Sequence, residues 1–177
     1  MDDTIITRFT DIPKAYSTEI STAIAIGKEI ETRARDFYAR NAERTEEKEL
    51  KTAFEFLASQ EQKHFEILDT VAQKLQEDGR FAVINKEDLR GPAPPKIYPN
   101  KKENIDEFGE KNELTILLWA MRAEKKAELF YRTQANKAEL DEAKEFFNNL
   151  ADFEAEHFEF LDALFSAWTS TDDFILG

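Results

Sequence analysis

The chain has 177 residues, a net charge of −13, 15 phenylalanines and no cysteine. The acidic balance argues against nucleic acid and anionic membrane as partners, because phosphate-rich surfaces bind basic proteins. The lack of cysteine excludes disulfides, thiolate zinc sites, iron–sulfur clusters and a cysteine nucleophile.

This length sets one domain as the default, large enough to bury a sizeable core. Five glycines and five prolines suit long helices with few turns. No apolar run approaches the ~20 residues of a membrane span. Residues 1–10 lack the apolar segment of a signal peptide, so a soluble cytoplasmic protein is expected.

Residues 1–16 read as a lead-in. Ser17 or Thr18 is the expected cap of the first helix. That helix is predicted over about 18–42. Ile20, Ile24, Gly27, Glu31, Ala34 and Tyr38 recur on it at steps of three and four, which puts them on one face. Glu31 is the one charged residue in that stripe. The second helix is predicted over about 46–78, with Thr45 as its cap. Its stripe reads Phe54, Leu57, Ala58, Glu61, His64, Phe65, Leu68, Val71 and Leu75. The short connection makes the two helices an antiparallel hairpin, about 18–78 in all.

Residues 79–110 hold Gly79, Gly91, Pro92, Pro94, Pro95, Pro99 and Gly109. They are expected to form an irregular crossover, with one turn at most near Lys86–Leu89. A connection this long needs a role. The expected role is to carry the chain along the bundle, so that the third helix can start beside the first. The third helix is predicted over about 112–136, with Leu117, Ala120, Met121, Glu124, Ala127 and Tyr131 in its stripe. The fourth is predicted over about 141–168, with Phe147, Leu150, Ala151, Glu154, His157, Phe158, Leu161, Leu164, Phe165 and Trp168. These two make a second hairpin, about 111–168. The apolar Phe174-Ile175-Leu176 is expected to fold back onto the body.

The two hairpins are copies. Glu61-x-x-His64 recurs as Glu154-x-x-His157, an offset of 93 residues that superposes the only two histidines. The same offset carries Glu31 onto Glu124, Phe37-Tyr38 onto Phe130-Tyr131, and Phe54 and Leu57 onto Phe147 and Leu150, without a gap. Repetition of this kind marks a duplicated structural unit. A Glu and a His three residues apart leave the same face of a helix and can hold one metal ion.

Four inward stripes make a four-helix bundle. The repeat puts Glu31, Glu61, His64, Glu124, Glu154 and His157 at one level of it. One Glu from each of two helices, plus Glu-x-x-His from each of the other two, is the general pattern of di-metal carboxylate bundles. Four carboxylates balance two divalent cations. Carboxylate and imidazole ligands suit Fe or Mn, with Zn and Co as substitutes. The two-fold repeat predicts Glu61 and Glu154 as bridging ligands, Glu31 and Glu124 as terminal ones, and one histidine per metal. Tyr38 and Tyr131 lie two turns beyond the terminal glutamates. They are candidates to hydrogen-bond the site or to take part in its redox chemistry.

With these motifs the chain resembles ferritin-like di-iron proteins of the rubrerythrin-like group, over about residues 18–78 and 110–168. The resemblance implies an all-α, ferritin-like antiparallel four-helix bundle, a single domain over 1–177, two iron ions, and reaction with hydrogen peroxide or O₂. Two departures stand out. Rubrerythrins carry a C-terminal rubredoxin domain with four cysteines, so here electrons are expected from an external rubredoxin-like donor protein. They also carry an extra Glu three residues beyond the third-helix ligand, where this chain has Ala127. A homodimer is expected. The competing expectations are a non-catalytic iron-storage or iron-delivery protein, and a helical interaction module with a vestigial site.

Overall fold

The computed structural model describes residues 6–11, 14–97 and 111–169. Each predicted stripe becomes the inner face of a long helix. These are α1 (Lys14–Arg44), α2 (Lys48–Asp78), α4 (Lys111–Lys137) and α5 (Asp141–Thr169). A short α3 (Lys86–Arg90) and two strands, β1 (Ile6–Asp11) and β2 (Arg80–Ile84), complete the described elements. The fold is an all-α helical bundle of the ferritin-like type, with a small strand pair added.

α1 packs along α2, and α4 packs along α5, as two hairpins. The 93-residue repeat is visible in the packing. Tyr38 stacks on Phe54 with ring centroids 5.9 Å apart, and Tyr131 stacks on Phe147 at 6.4 Å. Phe37 meets Tyr38 edge-on at 5.5 Å, and Phe130 meets Tyr131 at 5.2 Å. Aromatic pairs prefer these offset and edge geometries, so each hairpin repeats the same favourable contacts.

The core divides into two apolar clusters. One holds Ile24, Leu68, Val71, Tyr131, Phe147 and Leu150, with others. The second holds Tyr38, Leu50, Phe54, Leu57, Leu117 and Leu161, with others. Along each long helix, one buried glutamate falls between residues of the two clusters: Glu31, Glu61, Glu124 and Glu154. The charged layer is therefore walled by hydrocarbon above and below.

Three sequence expectations change here. First, α1 begins at Lys14, since Lys14-Ala15-Tyr16 contains no helix breaker. Ser17 and Thr18 thus lie within its first turns and do not cap it. Second, Thr45 is not the cap of α2. Glu47 holds that position, in extended backbone and without a side-chain cap bond. The Thr45 hydroxyl instead accepts from the Glu47 N–H at 3.2 Å and donates to Glu113 at 2.7 Å, tying the α1–α2 turn to α4.

Third, the start of the crossover is ordered. Gly79 closes α2 in the left-handed conformation, with its N–H bonded to the Leu75 carbonyl. Gly is favoured there because it carries no Cβ. β2 then pairs antiparallel with β1, with Phe9 opposite Ala82 and Asp11 opposite Arg80. Part of the expected lead-in, Ile6–Asp11, is thus a strand. Phe81, Ala82 and Leu89 are wholly buried and belong to the first apolar cluster. Burial of side chains such as Phe81 and Leu89 stabilises by roughly 1.5–3 kcal/mol each. The segment after α2 is thus part of the core and not merely a spacer. Lys86 pairs with Asp152 at 2.9 Å and Arg90 with Glu156 at 2.8 Å, which ties α3 to α5. The later crossover, residues 98–110, and the expected fold-back of Phe174-Ile175-Leu176 lie outside the described residues. No described helix is long and apolar enough to cross a membrane.

Candidate metal centre

All six sequence-predicted ligand residues converge. Glu31 comes from α1, Glu61 and His64 from α2, Glu124 from α4, and Glu154 and His157 from α5. None is more than 5% exposed. Their donor atoms form two sets, each within 4.8 Å: Glu31, Glu61, His64 and Glu154, then Glu61, Glu124, Glu154 and His157. Glu61 and Glu154 belong to both sets. The other four residues belong to one set each. The layer therefore has two centres joined by two shared carboxylates.

Each histidine turns Nδ1 toward the carboxylates. His64 Nδ1 lies 3.5 Å from Glu61, 3.6 Å from Glu154 and 3.7 Å from Glu31. His157 Nδ1 lies 3.1 Å from Glu61, 3.7 Å from Glu154 and 3.9 Å from Glu124. None of these contacts satisfies the atoms involved. Glu31 Oε2, both Glu61 oxygens, Glu154 Oε1, both His64 nitrogens and His157 Nδ1 are buried without a hydrogen-bond partner. An orphaned buried polar atom costs about 1–3 kcal/mol. So many, facing one another, fit a pair of cations as the group that satisfies them. The donor set is oxygen and imidazole nitrogen, which suits a divalent first-row metal.

Two of the remaining carboxylate oxygens are held from outside. Tyr38 donates its hydroxyl to Glu124 Oε1, and Tyr131 donates to Glu31 Oε1. Each tyrosine thus serves the glutamate of the other hairpin and not the one two turns before it on its own helix. Burial first, then the charge of the glutamate it serves, pushes each phenol well above its ordinary pKa of 10.0. Both therefore stay protonated donors.

Protons settle unevenly among the six residues. Burial, then repulsion from Glu154, raises Glu31 well above the usual carboxylate range. Burial, then repulsion from Glu61, does the same to Glu124. Burial opposes ionisation of Glu61 too, but His157 beside it outweighs that and holds Glu61 far below the usual range. Burial and Glu61 both act to raise Glu154, yet His157 and His64 bring it down. Burial works against charge on the histidines, and the surrounding carboxylates overcome it. His64 is raised well above 6.5, and His157 is pushed up to about 9. The metal-free layer thus favours protons on Glu31, Glu124 and both imidazoles, whose positive charge offsets the lowered Glu61 and Glu154. Four carboxylates, two neutral imidazoles and two divalent cations are neutral, so protons can give way to metal ions without leaving net charge in the core, which is what a low-dielectric site requires.

His64 Nε2 has no hydrogen-bond partner. Its ring is held by packing: it stacks on His157 with centroids 5.5 Å apart and lies 5.7 Å from Phe153. Phe153 was not foreseen. Its repeat counterpart is the buried Gln60, so the 93-residue offset gave no signal for it. Ala127, the position of the extra Glu in the resembling group, is buried beside the layer, between Glu124 and Tyr131 on α4.

The family model for rubrerythrin matches residues 5–72 and 115–176 of the chain. The chain belongs to the rubrerythrin family. It is therefore a ferritin-like protein of the di-iron class, and the match spans both hairpins. No curated protein and no solved structure matches it.

Proposed function

We propose that this rubrerythrin-family chain is a di-iron oxidoreductase that reacts with hydrogen peroxide or O₂, with electrons from an external donor protein. The observation that carries the reading is the sharing of Glu61 and Glu154 between two otherwise separate ligand sets. Shared carboxylates hold two metals close enough to act together. An iron pair bound there supplies reversible Fe²⁺/Fe³⁺ chemistry toward an O–O bond.

The chain's own residues have three tasks. Glu31 with His64, and Glu124 with His157, complete the two sets. Tyr131 and Tyr38 fix the orientation of Glu31 and Glu124 and leave one oxygen of each free to face the centre. The apolar clusters above and below exclude water, which strengthens every electrostatic interaction inside.

Reduction of hydrogen peroxide to two waters consumes two electrons and two protons. The chain has no cysteine and so holds no iron–sulfur centre of its own to deliver those electrons. A rubredoxin-like protein suits that role. The test is peroxide consumption by iron-loaded protein in the presence of a one-electron donor. Turnover above that of free iron, lost in Glu61→Gln, supports the reading. Turnover no faster than free iron refutes it.

A further inference from the structure

The charged layer is not sealed on all sides. Between α1 and α4 a cavity of about 380 Å³ opens toward it. Its floor is formed by Glu31, Glu124 and Glu154. Its walls are Ala34, Phe37, Trp119, Ala123 and Ala127. The three alanines make the room: longer side chains at 34, 123 and 127 would fill the space between the helices. Trp119 is 65% exposed at the mouth. A second cavity of about 400 Å³ shares Phe37 and Trp119 with the first and continues along the same helix seam toward Arg44 and Leu50.

We propose that the inner cavity binds an uncharged apolar organic molecule, with an aromatic or short alkyl body, directly against the carboxylate layer. Size argues for it. A water molecule occupies about 30 Å³ of liquid, and dioxygen or peroxide needs little more. A cavity of about 380 Å³ is many times what such an oxidant fills, and it lies within the range of organic ligand sites. Composition argues in the same direction. Alanine and aromatic walls converging on a few polar atoms are the usual make-up of such sites. The exposed cations Arg33 and Lys126 stand at the rim, so the Ala and Phe walls further in are left to an apolar body. The proposal rests on the di-metal reading only for what the floor carries.

The test uses zinc-loaded protein, which is redox-inert, and propylbenzene as the probe. The only two tryptophans are Trp119 and the buried Trp168. A Trp168→Phe variant therefore reports from Trp119 alone. Saturable binding of one propylbenzene per chain is expected, read both by calorimetry and by a shift in Trp119 emission. Ala127→Leu should weaken it at least about tenfold, a change of about 1.4 kcal/mol in binding free energy. Ala34→Leu should act in the same direction, and serves if Ala127→Leu does not fold. Bound zinc is counted in every sample. Zinc at two per chain without propylbenzene binding overturns this proposal and leaves the metal reading intact. Loss of zinc overturns the metal reading instead. Propylbenzene binding unchanged in both alanine variants also overturns the proposal. So does a dimer that Trp119→Glu converts to monomer and that never binds the probe, because the face would then belong to a second copy.

Discussion

The Tyr38 hydroxyl, on α1, donates across the bundle to the Glu124 carboxylate on α4. Its repeat partner Tyr131, on α4, returns the same bond to Glu31 on α1. The two hairpins are thus joined at the charged layer by a reciprocal pair of buried hydrogen bonds. Each tyrosine also packs into one of the two apolar clusters. Ligand orientation and hairpin docking therefore depend on the same two side chains.

Tyr38→Phe and Tyr131→Phe should each destabilise the metal-free protein by about 1–3 kcal/mol, since each leaves a buried carboxyl oxygen without its donor. Ring stacking on Phe54 or Phe147 is kept in both variants, so the loss reads the hydroxyl alone. Urea unfolding midpoints at constant slope measure it. Repeat symmetry predicts similar losses. A near-zero change in either variant would mean that the bond contributes nothing to docking.

Metal uptake should release up to four protons per chain at neutral pH, two from the imidazolium rings and two from Glu31 and Glu124. Zinc titration calorimetry in buffers of different ionisation enthalpy counts them. Metal affinity should fall as pH falls.

The same groups set the pH dependence of the metal-free fold. His157 titrates near 9 when folded and near 6.5 when unfolded. Between those values the folded chain binds a proton that the unfolded chain has lost, so stability must decline as pH rises. The raised Glu31 and Glu124 act in the same direction above their ordinary 4.5. Glu61 and Glu154, lowered in the fold, contribute stability above 4.5 that is lost progressively as pH falls below that value. Thermal melts of metal-free protein should therefore drop from pH 7 to pH 10, whereas zinc-loaded protein should not follow that drop.

Much of this arrangement was legible in the sequence, because helical periodicity and a gapless repeat are local signals. Glutamates on apolar stripes announced the layer, and Glu61-x-x-His64 with its copy announced the faces. The strand pair was not legible. β1 and β2 are separated by more than sixty residues, so no local periodicity pairs them. Nor was the exchange between Tyr38 and Glu124. A spacing of seven residues ties a tyrosine to its own helix, whereas the bond depends on how two helices face each other. Phe153 escaped because the halves diverge there: its repeat counterpart is Gln60.

Gly27 offers a test of how closely the halves fit. A Cβ there would lie 3.1 Å from the Tyr131 hydroxyl oxygen and 3.3 Å from Leu68 Cδ1. Gly27→Ala would gain about 1 kcal/mol of helix propensity in isolation. Overpacking of this kind costs about 1–3 kcal/mol. The net change should be neutral to destabilising, and zinc affinity should fall because Tyr131 is pushed away from Glu31. The same substitution in a Tyr131→Phe background should cost less. An equal cost in both backgrounds would separate Gly27 from the tyrosine.

The central claim is that six residues hold two metal ions through two shared carboxylates. An anaerobic Fe²⁺ titration of metal-free protein tests it most directly, run beside Glu61→Gln and Glu31→Gln. Two irons per chain are predicted for the unaltered protein. Glu31→Gln should weaken one of the two, since Glu31 belongs to a single set, and Glu61→Gln should weaken both. No stoichiometric binding, or two irons bound as tightly after Glu61→Gln as before, would contradict the claim.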